Sequence, residues 1–167
     1  MSEGDIEVIS GSYGVRNVDV GSATLAIQFG EPVRRLASSG TYYGAHLQNG
    51  APSVGSDVFL GIANRVSTQT TTLDGKVEVN LVGAGTVLFG DATTAANVDT
   101  AAELLLIMLN NVAFDVTSTV YTIDEDEADK ATLGLQIVGG DVTRSKLYVQ
   151  VHVNCTSQAS LIGVAGI

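Results

Sequence analysis

The stretch from residue 72 to residue 82, TLDGKVEVNLV, decides the fold class of this chain. Its Asp74-Gly75 pair is typical of a tight turn. The six residues that follow, from Lys76 to Leu81, alternate strictly between polar and apolar. Successive side chains of a β-strand point to opposite faces, so the alternation predicts a strand with one apolar and one solvated face.

Other short apolar runs between turn residues predict more strands of the same kind. The apolar content is mostly Val, Leu, Ile and Ala, with four Phe and no Trp, while 19 Gly and only two Pro supply turns. This composition predicts a mainly β fold, a small β-barrel or β-sandwich of short antiparallel strands. The further strands are expected near residues 23–29, 57–66, 113–124 and 145–155.

One segment, DTAAELLLIMLNN (99–111), departs from this pattern. Thr100 precedes Glu103 by three residues, which is the spacing of a capping box. Ala, Glu, Leu and Met favour helix, so we predict one short α-helix at about 101–109. The alternative is a strand, because the run LLLIML fits either structure. The helix is apolar on nearly all sides, and we expect protein to cover most of its surface.

The chain length of 167 residues fits one domain. We expect residues 1–20 to form a loosely held N-terminal arm with at most one strand, and residues 21–167 to form a single β-rich domain. The apolar C-terminal tail, 158–167, carries no charged side chain. Exposed apolar tails are unfavourable in water, so we expect it at a subunit interface, through Leu161, Ile162 and Val164.

The net charge is −10 and the pI about 4.3, which disfavours binding to nucleic acid or to an anionic membrane surface. No apolar run approaches the about 18 residues that a membrane-spanning helix needs. The acidic start, MSEGDIEVIS, is unlike a signal peptide. The single Cys excludes an intrachain disulfide. We therefore expect a chain that is made in a cytoplasm.

A search for catalytic and metal-binding motifs finds none that is convincing. The acidic run DEDEADK (124–130) lacks the glycine and the ligand spacing of a calcium loop, and is expected to be a solvated loop. His46, His152 and Cys155 lack the spacing of a zinc site or of an activated nucleophile. No phosphate-binding glycine motif is present. The expectation is a binding or structural protein with no cofactor, not an enzyme.

Two short motifs suggest where such a protein makes contacts. Arg34 and Arg35 form a local basic spot in an acidic chain, and Tyr42-Tyr43 follow in a segment rich in turn residues, which we expect to be a loop. Tyrosine combines an apolar ring with a polar tip and is common in protein interfaces. We name these four residues as candidates for an interface.

Several phrases in sequence order resemble the small capsid decoration, or cement, proteins of tailed bacteriophages. They are GEPVRRL, VGSDVFLGIANRVSTQTTTLDGKVEVNLV, TAAELLLIMLNNVAFDVTS and VYTIDEDEADKATLGLQIVGGDV, and together they span roughly residues 30–152. They are scaffold motifs and contain no catalytic residue to carry over.

The resemblance implies a β-rich subunit that forms a homotrimer and binds the major capsid protein. Such a subunit is made in the cytoplasm of the host bacterium and lies on the exterior of the virion's capsid, which it stabilises. Two other readings stay open. One is another virion or surface structural protein, such as a tail, fibre or adhesin subunit. The other is a ligand-binding β-barrel or an enzyme of unfamiliar type.

Overall fold

The computed structural model confirms a mainly β fold with two antiparallel sheets, one of them a curled half-barrel, and one short helix. It describes residues 6–22, 26–38, 41–46, 58–117, 120–126 and 134–152.

The described residues form eleven strands, one α-helix and a single 3₁₀ turn at Ala95–Asn97. In chain order, the elements are β1 (Glu7–Ser10), β2 (Val15–Val20), β3 (Pro32–Ser38), β4 (Thr41–His46), β5 (Val58–Ala63), β6 (Gly75–Leu81), β7 (Val87–Asp91), α1 (Ala101–Ile107), β8 (Asn111–Thr117), β9 (Val120–Asp124), β10 (Leu135–Asp141) and β11 (Lys146–Val151).

The six-stranded sheet has the order β1-β7-β11-β10-β8-β9, and the five-stranded sheet has the order β2-β6-β5-β3-β4. In the six-stranded sheet, Ala92 at the end of β7 forms a parallel bridge with Ile123 of β9. That bridge joins two strands that are far apart in the sheet order, so the sheet curls on itself.

The alternating stretch of residues 76–81 lies in β6, as predicted. Val77 and Val79 are buried and Lys76 is exposed. The apolar face of β6 packs in a small core with Val20, Ile27, Val33 and Ala63. The alternation therefore assigns the buried face of this strand correctly.

A larger core joins the two sheets. Phe59 of β5 meets Phe114 of β8 edge to face, with ring centroids 5.8 Å apart and an interplanar angle of 69°. Both rings are fully buried. Two of the chain's four Phe residues thus form the aromatic contact between the sheets.

Two expectations about local structure are corrected. Residues 6–20 are not a loose arm, because they form β1, which pairs with β7, and β2, which pairs with β6. Residues 26–29 are not in a strand. Instead, Ser67 holds Ile27, donating from its N–H to the Ile27 carbonyl (2.9 Å) and accepting from the Ile27 N–H at Oγ (2.8 Å).

Helix α1 begins at the predicted place and ends two residues early. The capping box is present: the Glu103 N–H donates to Thr100 Oγ1 (3.3 Å), and the Thr100 N–H donates to Glu103 Oε2 (3.1 Å). The helix stops at Ile107 because Leu109 has φ of +66° and donates its N–H to Ile137 of β10 rather than to the helix.

Candidate interaction surface

One side of α1 packs against the protein. Leu104, Ile107 and Met108 contact the larger core. Gly140 of β10 makes room for Leu104, since a Cβ at that glycine would lie 2.9 Å from Leu104 Cδ1 and 2.9 Å from the Lys146 carbonyl oxygen. Because residue 140 has no side chain, the helix can pack closely against β10.

The other side of α1 faces solvent. The side chains of Leu105, Leu106 and Leu109 are 74%, 81% and 64% exposed. This surface, called the leucine face below, is left uncovered within a single copy, so any protein that covers it must come from elsewhere. Three large, exposed apolar side chains within five residues are unfavourable for a free subunit, and such a concentration is typical of an interaction site.

Leu109 is also unfavourable in its backbone conformation. Its φ of +66° lies in the left-handed region, which costs a residue with a Cβ about 1–2 kcal/mol and suits Gly or Asn. Two hydrogen bonds fix it there: its N–H donates to the Ile137 carbonyl (3.0 Å), and its carbonyl accepts from Gln136 Nε2 (3.1 Å). Neither burial nor backbone geometry in the described chain favours a leucine at this position.

We predict that Leu109→Asn leaves the free energy of unfolding unchanged or raises it by up to about 1 kcal/mol, because Asn tolerates the left-handed conformation. Chemical denaturation followed by circular dichroism measures it, at a protein concentration at which light scattering shows both proteins to be single copies. Leu109→Ala is the control, since it removes the apolar bulk but keeps the strain. A loss of more than about 1 kcal/mol in the Asn variant would show that the side chain stabilises the isolated subunit.

The four sequence candidates Arg34, Arg35, Tyr42 and Tyr43 lie on neighbouring strands. Arg34 and Arg35 are half-buried in β3, and in the register of the β3–β4 hairpin Leu36 pairs with Tyr43 and Ala37 with Tyr42. The two tyrosines are therefore in a strand, which corrects the expected loop; the structure describes their backbone only. The hairpin therefore places the two pairs of candidates on adjacent strands of the five-stranded sheet.

The remaining candidates, Leu161, Ile162 and Val164, lie outside the described residues. Described residues end at His152, whose N–H donates to the Gly134 carbonyl (2.8 Å) beside the start of β10.

A second group of partly exposed aromatic side chains, on the outer side of the six-stranded sheet, already has partners. Phe89 stacks on Tyr148 with ring centroids 4.8 Å apart. Lys146 Nζ lies 5.3 Å from the centre of the Phe89 ring and forms an ion pair with Asp91 (2.7 Å). These contacts satisfy the group within the subunit, which distinguishes it from the leucine face.

Glu125 is a buried acidic residue whose burial the sequence analysis did not predict. Its side chain is 1% exposed, whereas the acidic run was expected to be a solvated loop. Its carboxylate accepts from the Thr93 N–H (3.1 Å), the Thr94 N–H (3.1 Å) and Asn97 Nδ2 (3.0 Å). The carboxylate thereby ties the end of β9 to the turn that precedes α1. Tyr121, Ile123 and Glu125 alternate along the strand, and that spacing was the available signal.

We predict that the stability difference between the wild type and Glu125→Gln depends on pH. Burial raises the pKa of the Glu125 carboxyl above its ordinary value of 4.5, and the hydrogen bonds from Asn97 and Thr94 only partly oppose this. A raised pKa means that the stability contributed by the neutral acid is present below 4.5 and is lost as the pH rises through the folded-state value.

Relative to Glu125→Gln, which stays neutral, the wild type should therefore lose stability between about pH 4 and pH 7. Urea midpoints of both proteins at the two pH values measure this, with Asp19→Asn, which changes an exposed carboxylate on β2, as the control. A wild type that gains on the Gln variant as the pH rises would mean that hydrogen bonding to the carboxylate outweighs its burial.

A small pocket lies between β1 and the end of β5. It has a volume of about 180 Å³ and its walls include Ile6, Val8, Phe29, Ile62 and Asn80. Pockets for small organic ligands usually measure about 300–1,000 Å³, so this one fits a single side chain better than a ligand.

Within the described ranges, no group of three or more His, Cys, Asp or Glu side chains is arranged to hold a metal ion. The one α-helix found there is too short to cross a membrane.

Comparison with protein-family models, with curated proteins and with solved structures found no match to this chain. The leucine face is therefore interpreted from its own geometry.

Proposed function

We propose that this chain is a structural virion protein that decorates and stabilises the outer surface of a tailed-phage capsid, as a homotrimer bound to the major capsid protein. The order of scaffold motifs over residues 30–152 supports the assignment to capsid decoration. The virion exterior is the proposed location, and the proposed role involves no catalysis and no cofactor.

The observation that carries the proposal is the leucine face. A free subunit that exposes Leu105, Leu106 and Leu109 loses the hydrophobic free energy of burying them. A closed symmetric assembly recovers it without leaving an open end that recruits more copies. The leucine face is therefore proposed as part of the contact between copies.

The capsid contact is proposed on residues 1–20 together with the β3–β4 hairpin. Arg34 and Arg35 are consecutive residues of β3, so they present one positive charge on each face of the hairpin in a chain of net charge −10. Tyr42 and Tyr43 lie on the paired strand. A trimer that binds through three copies of one surface gains by multivalency, so modest contacts from each hairpin suffice.

Co-sedimentation tests the proposal, with heads of the phage that encodes the chain, prepared without it. We expect saturable binding at a fixed ratio to the major capsid protein. Heads with bound protein should also resist a higher temperature before they release DNA.

Arg35→Glu is the matched variant, since it reverses one charge of the hairpin and leaves the leucine face intact. It should weaken binding to heads while the mass of the assembly in solution stays the same. The proposal fails if the wild-type protein stays in the supernatant at every concentration. If it then binds tails or fibres of the same phage, the chain is a tail or fibre protein instead.

A further inference from the structure

The proposed trimer places a constraint on the contact between its copies, and the inference below rests on that proposed function. A surface that contacts itself across a two-fold axis gives a dimer, whereas a ring of three needs two different surfaces on every copy, one fitting the other. The leucine face is one such surface, so the ring requires a second, complementary one.

We infer that residues 158–167 of a neighbouring copy cover the leucine face. This segment, QASLIGVAGI, contains Leu161, Ile162 and Val164 and no charged side chain. The stretch that presents the leucine face, residues 104–112, also has none. Copies that each carry a net charge of −10 repel one another, and contact between two uncharged stretches keeps that repulsion smallest.

The length of chain beyond His152 is sufficient for this contact. His152 is held beside Gly134, next to β10, and the fifteen residues after it can extend up to about 50 Å at roughly 3.3–3.6 Å per residue. Leu109 is also held at β10, through Ile137. Both the origin of the segment and its proposed acceptor surface are thus fixed to the same strand. The segment is therefore long enough to reach the leucine face of its own copy or of a neighbour, and the proposed ring of three selects the neighbour.

Disulfide trapping in the full chain tests the inference. Leu109→Cys and Leu161→Cys are combined in a Cys155→Ser background, together with a second pair, Leu105→Cys with Val164→Cys. After mild oxidation, at least one pair should give covalent dimers and trimers on a non-reducing gel. Each single-cysteine chain, the matched control, should give no trimer. A crosslink confined to single chains would overturn the inference, because the segment would then cover its own helix.

Mixing two variants gives an independent test. One carries Leu105→Gln and Leu106→Gln on the acceptor surface, and the other carries Leu161→Gln and Ile162→Gln on the donor segment. Each alone should be a monomer by light scattering. In the mixture, the intact segment of the first variant can still bind the intact leucine face of the second, so a one-to-one dimer should form. A mixture that stays monomeric would contradict the inference. So would a donor-segment variant that stays a trimer on its own.

These experiments distinguish a failure of the inference from a failure of the proposed function. If the Cys155→Ser parent is a trimer but neither pair crosslinks between chains and mixing restores nothing, the inference fails and the proposed function stands. If the parent is a monomer at all concentrations, the proposed trimer fails and the inference fails with it.

Discussion

Gly61→Ala is expected to destabilise the fold more than any other single glycine replacement considered below. Gly61 lies in β5, between β3 and β6, and pairs with Val33 and Leu81. A Cβ at this position would overlap the carbonyl oxygen of Asn80 and lie 2.8 Å from the carbonyl carbon of that residue. Both are backbone atoms of a paired strand, so the clash is relieved only by separating β5 from β6. Overpacking usually costs about 1–3 kcal/mol, and here we expect at least about 3 kcal/mol because no flexible side chain can move aside.

Gly14→Ala is the matched control for this prediction. Gly14 has φ of +97°, but a Cβ added there would have no neighbouring atom within 4 Å, so alanine should cost only backbone strain, about 1–2 kcal/mol. Far-ultraviolet circular dichroism and denaturant titration compare the two variants. A Gly61→Ala protein that folds with the stability of Gly14→Ala would show that the β5–β6 pairing is looser than described.

Phe114→Ala is expected to cost about 3–5 kcal/mol, the range for removing a buried aromatic ring. The ring is fully buried and its partner Phe59 comes from the other sheet. Its loss opens a cavity where the two sheets meet, and nearby side chains of paired strands are too constrained to fill it.

Val120→Ala is the control, because this residue lies on β9 opposite β8 but is exposed. It should change the free energy of unfolding by no more than about 0.5 kcal/mol. Circular dichroism is the suitable readout, since the chain has no Trp. A loss below about 1.5 kcal/mol for Phe114→Ala would mean that the sheets are joined mainly by other contacts.

The sequence correctly predicted those parts of the fold that depend on interactions between residues close together in the chain. Alternation at Val77 and Val79 gave the buried face of β6. The start of α1 followed from Thr100 and Glu103, because a capping box depends on neighbouring residues only.

The parts that depend on distant contacts could not be predicted in this way. The apolar composition of α1 does not reveal how much of the helix the sheets cover, and Leu105 and Leu106 are exposed. Residues 6–20 contain charges and glycines typical of an arm, but their partners β7 and β6 are distant in the sequence. Glu125 is buried among charged sequence neighbours because hydrogen bonds from Thr93, Thr94 and Asn97 satisfy it.

The candidate interface was predicted in part. Arg34, Arg35, Tyr42 and Tyr43 were chosen for their residue type, and the hairpin does place them on paired strands. The leucine face was not among the chosen residues, since a leucine in a helix is normally a core residue. Its exposure becomes visible only when Gly140 and the neighbouring strands fix which side of α1 faces the protein.

Light scattering after size-exclusion chromatography tests most directly whether the leucine face assembles the chain. We predict a wild-type mass of about three times 17.2 kDa and a one-copy mass for Leu105→Gln with Leu106→Gln. The variant should keep its circular dichroism spectrum, because Gln is a good helix former and both positions are exposed. A wild type with the mass of one copy, or a variant with the mass of the wild type, would contradict the account.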